Sequence, residues 1–147
     1  MDRLDRSILG LLEKDARLTY GQIGKSVGLA ASSVHDRVRK LEKKGVIKGY
    51  RAEIDFDEVD LPITAFVSLA LRPASPDKIP SRIAEFPLVE SCYSVAGDNS
   101  YALIVRAPST KALEDLLDSL RAKLEVVTKS TIVLSTPFER RPRLTAG

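Results

Sequence analysis

The chain has 147 residues, of which 44% are hydrophobic and 29% charged, a composition typical of a folded protein with one or two small domains. No apolar run approaches the roughly 20 residues of a membrane helix, and Met1 to Asp5 does not resemble a secretory signal. A single cysteine, Cys92, and a single histidine, His35, exclude a disulfide framework and a multi-histidine metal centre. We therefore expect a cytoplasmic protein without a membrane partner, metal or cofactor.

The net charge of +3 hides an asymmetry along the chain. Residues 1–50 hold 11 Lys and Arg against 6 Asp and Glu, residues 51–139 hold 9 against 14, and residues 140–147 form a tail with three arginines. A basic segment joined to an acidic remainder suggests that only one part faces a polyanion. Charge alone leaves open the alternative of a merely solvated surface.

Two helices are predicted in the first 28 residues. The first can be capped by Asp2 or Asp5 and ends at the polar stretch 14–17. Thr19 and Gln22 have the spacing of a capping box, which starts the second helix. The apolar face of the first helix consists of Leu4, Ile8, Leu11 and Leu12.

A third helix follows a tight turn in which Gly28 suits the left-handed position that closes the second helix. The segment from Leu29 to Gly45 has helical spacing, and residues 46–50 read as a strand. Its apolar positions are Val34, Val38 and Leu41. Three short helices followed by an extended piece outline a winged helix-turn-helix domain over residues 1–50, whose second motif helix enters the major groove.

The third helix supplies most of the predicted DNA-binding residues. Small hydroxyl groups let the backbone approach DNA closely, and basic side chains contact phosphates or a guanine edge. Asp36 either accepts from a cytosine amine or pairs with a neighbouring Arg or Lys, and His35 contacts DNA or a neighbouring helix. The alternative is that these residues only solvate an exposed helix. The predicted DNA-binding set is Gln22, Ser32, Ser33, His35, Asp36, Arg37, Arg39, Lys40 and Lys43.

Residues 51–62 read as an acidic linker with some strand, and residues 63–139 as a second domain. Helical spacing predicts one helix with Pro80 in its first turn and a leucine-rich helix capped by Ser109 or Thr110. Strands are predicted at 89–96, 101–107 and 126–137. A half-buried strand after Pro62 would place on one face Ile63, Ala65, Val67, Leu69 and Leu71, and the first helix would bury Ile79, Ile83 and Phe86.

This order is β-α-β-β-α-β, which predicts an α+β fold with a ferredoxin-like (ACT-like) second domain. Both helices would cover one sheet face, and the other face would carry residues such as Phe66 and Ala70. A bare apolar face of this kind needs a partner, so we expect a homodimer. A dimer also suits a helix-turn-helix protein, because such proteins commonly read two half-sites.

The turn between the two middle strands is the other chemically suggestive cluster. Its glycine exposes backbone N–H groups that can cradle a carboxylate, and Asp98 and Asn99 can accept from an ammonium group. Together these features suit a free amino acid, whereas the residues alone favour an ordinary hairpin turn. The candidate effector-binding residues are Ala96, Gly97, Asp98, Asn99, Ser100 and Tyr101.

The first fifty residues contain the pattern Leu4-Asp5-x-x-Ile8-Leu9, then Leu29-x-x-Ser32-x-Val34-x-x-Arg37-Val38-x-x-Leu41-Glu42-x-x-Gly45-Val46-Ile47-x-Gly49-Tyr50. This pattern and the βαββαβ half that follows resemble the Lrp/AsnC (feast/famine) family of prokaryotic transcription regulators over nearly the whole chain. The resemblance implies dimers formed through the sheets, further assembly often to octamers, and an amino-acid effector bound near the turn at residues 96–101.

Two positions depart from the family pattern. Ala30 stands where the family usually has Ser at the start of the recognition helix, and a lost N-cap costs about 1 kcal/mol unless Ser32 or Ser33 caps a shorter helix. Ser100 stands where the family often has Asp before the aromatic residue.

The sequence thus predicts a sequence-specific regulator that binds double-stranded DNA and responds to an amino acid. The alternative is an effector-independent, nucleoid-like architectural protein that wraps DNA. An enzyme is not expected, because the chain offers no nucleophile–base pair, metal-ligand cluster or phosphate-binding glycine loop.

Overall fold

Three helices make up the N-terminal unit of the computed structural model, which describes residues 1–144. They are α1 (Arg3–Lys14), α2 (Tyr20–Val27) and α3 (Ala31–Lys43). Contacts group residues 1–53 with the described residues from Pro137 onward, and residues 54–136 form a second unit.

Both predicted helix starts are confirmed. The Asp2 carboxylate caps α1 by accepting from the backbone N–H of Asp5 at 2.8 Å. The Thr19 hydroxyl caps α2 by accepting from the N–H of Gln22 at 3.2 Å, and the Gln22 amide oxygen accepts from the N–H of Thr19 at 2.8 Å. Each reciprocal pair satisfies two backbone donors that have no partner inside the helix.

The core of the N-terminal unit confirms which face of α3 points inward. Val34 and Val38 are fully buried, together with Ile8 of α1 and Ile23 of α2. Leu41, one turn further along α3, is 4% exposed. The opposite face of α3 is therefore the one presented to solvent.

The strand predicted at residues 46–50 is wrong. Gly45 turns the chain with φ +68°, and the N–H groups of Val46 and Ile47 both donate to the Leu41 carbonyl oxygen, at 2.9 and 3.2 Å. These bonds close the end of α3 and use donors that a strand would need for a neighbour. The strand expected within residues 51–62 is also wrong, because that segment is irregular and turns at residues 57–60.

The second unit is a four-stranded antiparallel sheet in the order β2-β3-β1-β4, which confirms the βαββαβ prediction. Both helices pack on one face, in a single core with alternate residues of the central strands. The elements are β1 (Ile63–Ala70), α4 (Ile79–Ile83), β2 (Val89–Ser94), β3 (Tyr101–Ala107), α5 (Thr110–Leu124) and β4 (Val127–Ile132).

Several element ends differ from the prediction. Leu71, expected on the buried face, is 44% exposed, because β1 ends at Ala70 and the chain turns at residues 72–75. The helix α4 has only five residues, so Phe86 lies beyond its end and packs partly against the core. Ser109 caps α5 by accepting from the N–H of Ala112 at 3.1 Å.

Within residues 54–136, no helix covers the outer face of the sheet, because α4 and α5 both pack on the inner face. Phe66 on β1, Tyr93 on β2 and Val127 on β4 are 53%, 54% and 47% exposed. Phe66 pairs across the sheet with Ile104 on β3, so apolar groups extend over neighbouring strands.

Gly24 permits the close approach that makes the turn between α2 and α3. A Cβ on Gly24 would lie 2.4 Å from the Leu29 carbonyl oxygen, and the Leu29 N–H donates to the Gly24 carbonyl oxygen at 2.9 Å. No side chain fits there, so this glycine sets the distance between the two helices.

Replacing Gly24→Ala is expected to destabilise the N-terminal unit by roughly 1–3 kcal/mol, because the Leu29 backbone must move. The matched control is Gly21→Ala on the same helix, whose Cβ would meet no atom closer than Thr19 Oγ1 at 3.9 Å. The control should be neutral or stabilising by up to about 1 kcal/mol. Thermal unfolding followed by circular dichroism measures both, and equal effects would contradict the steric argument.

Candidate nucleic-acid interface and sensing turn

The exposed face of α3 brings most of the predicted DNA-binding residues together. Asp36, Arg39, Lys40 and Lys43 are all exposed and line one shallow depression of about 500 Å³. Their spacing of three and four residues places them side by side on the helix. Three cationic side chains and one carboxylate therefore lie on the exposed face of α3, opposite the buried Val34 and Val38.

The start of α3 has no side-chain cap. Ala30 is the N-cap residue and makes no such bond, and Ser32 and Ser33 are exposed positions within the first turn rather than caps of a shorter helix. The first backbone N–H groups of α3 therefore receive no side-chain acceptor. The two serine hydroxyls lie beside them.

Arg37 is engaged differently from the other basic residues of α3. Its Nη1 atom lies 2.6 Å from Asp2 Oδ2 and 2.7 Å from Asp5 Oδ1, and only 29% of its side chain is exposed. The guanidinium therefore joins the middle of α3 to the start of α1. The sequence prediction placed Arg37 among the DNA-binding residues. It missed the ion pairs with Asp2 and Asp5, because a helical wheel does not show which other helix lies beside a side chain.

These contacts shift the pKa values of the acidic groups. The N–H of Asp5 and the Arg37 guanidinium lower the pKa of Asp2. Burial acts to raise the pKa of Asp5, but the N–H of Asp2 and the Arg37 guanidinium outweigh it, so that pKa is also lowered. Both groups are ionised partners of Arg37 near neutral pH.

His35 and Asp36 are partners of each other. His35 Nδ1 lies 3.2 Å from Asp36 Oδ1, so the described partner of Asp36 is the histidine and not the predicted Arg or Lys. The rings of His35 and of Tyr20 on α2 form a T-shaped pair with their centroids 5.4 Å apart. This is the contact with a neighbouring helix that the sequence left as one alternative. The Gln22 amide oxygen is committed to the cap of α2.

Tyr50 has a structural role that sequence reasoning missed. Its hydroxyl donates to Glu42 Oε1 at 2.8 Å and ties the segment after α3 to the end of that helix. Burial, followed by the Glu42 carboxylate, raises the pKa of Tyr50 to about 12. A lone tyrosine eight residues from a glutamate gives no signal of this pairing.

The turn that holds the candidate effector-binding residues, at positions 96–101, joins β2 to β3 at one end of the sheet. The Val95 N–H donates to the Ser100 carbonyl oxygen at 3.1 Å, and the Ser100 N–H donates to the Leu69 carbonyl oxygen at 2.8 Å. Gly97 has φ +136°, a conformation that favours glycine. Residues 96–98 are exposed, whereas residues 99–101 are half-buried, so the tip of the turn offers backbone groups to solvent.

A cluster of metal-ligating residues and a membrane-spanning helix are both absent from residues 1–144. That range holds no cluster of His, Cys, Asp and Glu suited to a metal ion. None of its helices combines the length and apolar character needed to cross a bilayer.

Comparison with known proteins gives two family matches. The winged helix-turn-helix DNA-binding family matches residues 1–48, and the Lrp/AsnC ligand binding domain matches residues 64–143. The chain is 43% identical to the HTH-type transcriptional regulator LrpA of Mycobacterium tuberculosis, over 98% of this chain and 97% of that protein. It is 32% identical to the leucine-responsive regulatory protein of Escherichia coli K12, over 91% and 85%.

A solved structure is similar over the full fold. The feast or famine regulatory protein of M. tuberculosis in complex with L-methionine has a TM-score of 0.93 and 42% identity. The match covers 98% of this chain and 99% of that one.

Replacing Arg37→Gln is expected to lower the melting temperature near neutral pH. Because the pKa values of Asp2 and Asp5 are lowered, these groups stabilise the folded state at pH values above the usual carboxyl pKa of 3.8. This contribution to the free energy of unfolding is lost as the pH falls through the lowered pKa values. The difference between the native chain and the variant should therefore shrink in acid.

Circular dichroism melts between pH 7 and pH 2 measure this difference. The control is Arg39→Gln on the exposed face of the same helix, for which we expect little change in melting temperature at any pH. A gap between native chain and Arg37→Gln that stays constant with pH would contradict the ion-pair assignment.

Proposed function

The chain belongs to the Lrp/AsnC family of DNA-binding transcriptional regulators with an amino-acid-binding domain, and from this premise we propose that it binds specific DNA sites through α3 and responds to an amino acid. The observation that carries the proposal is the outward face of α3, where Arg39, Lys40 and Lys43 lie together. A positively charged helix on a small three-helix scaffold suits the major groove of duplex DNA.

We assign the residues of this face by their chemistry. Lys40 and Lys43 contact phosphates, Arg39 is suited to a bidentate guanine contact, and the serines at positions 32 and 33 allow close backbone approach. His35 and Asp36 act as a hydrogen-bonded pair beside the groove, and Gln22 contributes through its amide nitrogen. Arg37 sets the position of α3 through Asp2 and Asp5 instead of reaching DNA itself.

The proposed effector is a small amino acid, with L-methionine as the first candidate. Support comes from the methionine complex of the 42% identical M. tuberculosis protein. Exposed N–H groups around Gly97 would hold the carboxylate, and the side-chain oxygens of Asp98 and Asn99 would accept from the ammonium group. Ala96, Ser100 and Tyr101 complete the proposed site.

The open sheet face supports assembly as a homodimer. Exposed Phe66, Tyr93 and Val127 give this face the apolar character that a partner surface would cover. A two-fold dimer would present two copies of α3 to two half-sites, and further association to an octamer is the family expectation. A protein that acts on DNA in this way would work in the cytoplasm at the nucleoid, which is part of the proposal.

An effector-independent architectural role is the second candidate, and it shares the DNA-binding features. The methionine complex of the M. tuberculosis relative favours the effector-responsive function over this alternative. The matched relatives are named as regulatory proteins, an HTH-type transcriptional regulator and a leucine-responsive regulatory protein.

Replacing Arg39→Ala or Lys40→Ala is expected to weaken binding to DNA fragments selected by the native chain. Each lost phosphate contact should reduce the salt slope of log K by about 0.9, and a lost guanine contact should cost about 1–3 kcal/mol at that position. Fluorescence anisotropy at several salt concentrations measures both quantities. The control is Lys111→Ala on α5, which removes one positive charge from the second unit and should change neither the salt slope nor the affinity. Unchanged binding in both α3 variants would show that another face contacts DNA.

Calorimetric titration with a panel of amino acids is expected to give heat with L-methionine or a close analogue. Asp98→Ala should weaken that binding, because it removes an acceptor for the ammonium group. Ser130→Ala on β4, away from the turn, is the control. A native chain that gives no heat with any amino acid would favour the architectural alternative.

A further inference from the structure

The C-terminal arm, residues 137–144, belongs to the N-terminal unit by its contacts. The backbone N–H groups of Arg143 and Leu144 both donate to Glu13 Oε2, at 2.9 and 2.8 Å. Hydrogen bonds to an ionised carboxylate are stronger than neutral ones. The Leu144 N–H, followed by the Arg143 N–H, holds the pKa of Glu13 below its usual value. Glu13 at the end of α1 thus clasps the arm.

An apolar residue of the arm borders α1 next to these hydrogen bonds. Leu144 lines a cleft of about 550 Å³ together with Leu9 and Leu12 of α1 and with Ile47. Leu144 is 39% exposed and is the last residue that the structure describes. The two hydrogen bonds to Glu13 therefore hold the arm against α1 beside this cleft.

The arm adds positive charge to a part of the unit that is already basic. It carries Arg140, Arg141 and Arg143 against one acidic residue, Glu139. The Arg141 guanidinium stacks on the Phe138 ring at 4.0 Å, which restricts its orientation. The cleft that Leu144 lines also has four cationic side chains against three carboxylates, and the cationic ones are Lys14, Arg17, Lys48 and Arg51.

Two of the three acidic residues that line the cleft accept hydrogen bonds from the protein backbone, and the third is Glu53. Glu13 accepts the two N–H groups of the arm, and Asp15 accepts from the Arg17 backbone N–H at 2.9 Å. The three arginines of the arm follow a sheet unit in which residues 54–136 hold 8 Lys and Arg against 12 Asp and Glu. The arm therefore adds its three arginines to the basic N-terminal unit, although it follows the acidic second unit in the chain.

We propose that the C-terminal arm binds the phosphate backbone of duplex DNA as a second contact element of the N-terminal unit, with Glu13 as its positioning residue. Arginine suits this role, because the planar guanidinium donates two parallel hydrogen bonds to phosphate oxygens. Binding by the arm is independent of base sequence, since phosphates carry no sequence information. The inference rests on the proposed DNA-binding function and adds a contact surface outside α3.

The test is the double variant Arg141→Gln, Arg143→Gln in the full chain, with a fluorescein-labelled 40-base-pair duplex of mixed sequence as the probe. Loss of two phosphate contacts should reduce the salt slope by about 1.8, so that the native chain loses about tenfold more affinity than the variant between 50 and 200 mM salt. The matched control is Lys111→Gln, Arg121→Gln on α5, which removes two charges from the other unit and should leave the slope unchanged.

A second variant, Glu13→Gln, separates positioning from charge. Removing a carboxylate from a DNA-binding unit would by itself strengthen binding, but releasing the arm should weaken it and lower the salt slope. Amide hydrogen exchange at Arg143 and Leu144 should become faster in this variant. Tighter binding of Glu13→Gln, with the native slope, would overturn the positioning role.

The two proposals fail in different ways. If the native chain binds the duplex and the arginine double variant keeps its full salt slope, the arm is not a contact element and the function through α3 stands. If the native chain does not bind the duplex even at low salt, the proposed function itself fails. Circular dichroism melts of each variant confirm that the fold is intact.

Discussion

Burial of one face of α3 is the interaction on which the rest of the N-terminal unit depends. Val34 and Val38 are completely enclosed by the other two helices. Because an α-helix has about 3.6 residues per turn, burying these positions leaves the Asp36, Arg39, Lys40 and Lys43 face in solvent. The packing also requires the close backbone approach at Gly24, so a steric constraint in one turn decides which side chains the unit can offer to DNA.

The two ends of α1 organise the charged groups around that core. At its start, Asp2 and Asp5 cap the helix and hold Arg37 of α3, an arrangement that also suits the positive end of the helix dipole. At its other end, Glu13 would face the negative end of the dipole, and the two N–H groups of the C-terminal arm compensate. The first helix therefore anchors both the middle of α3 and the end of the described chain.

The second unit has one buried and one exposed sheet face. Its two helices bury one side of the sheet, whereas the other side keeps apolar groups such as Phe66 exposed. The proposed effector-binding turn at residues 96–101 is formed by the β2–β3 connection, and the Ser100 N–H donates to the Leu69 carbonyl oxygen of β1. A ligand at this turn would therefore act directly on a central strand of the sheet.

Patterns over a few residues were enough to determine the three helices, the cap formed by Thr19 and Gln22, the βαββαβ order and the exposed face of α3. Helical periodicity, strand alternation and capping are local properties, so neighbouring residues determine them. Only the tertiary structure decided that residues 46–50 close α3 instead of forming a strand, that Arg37 pairs with Asp2 and Asp5, and that Glu13 holds the arm. Those contacts join residues up to 131 positions apart, and their partners are set by how the elements pack.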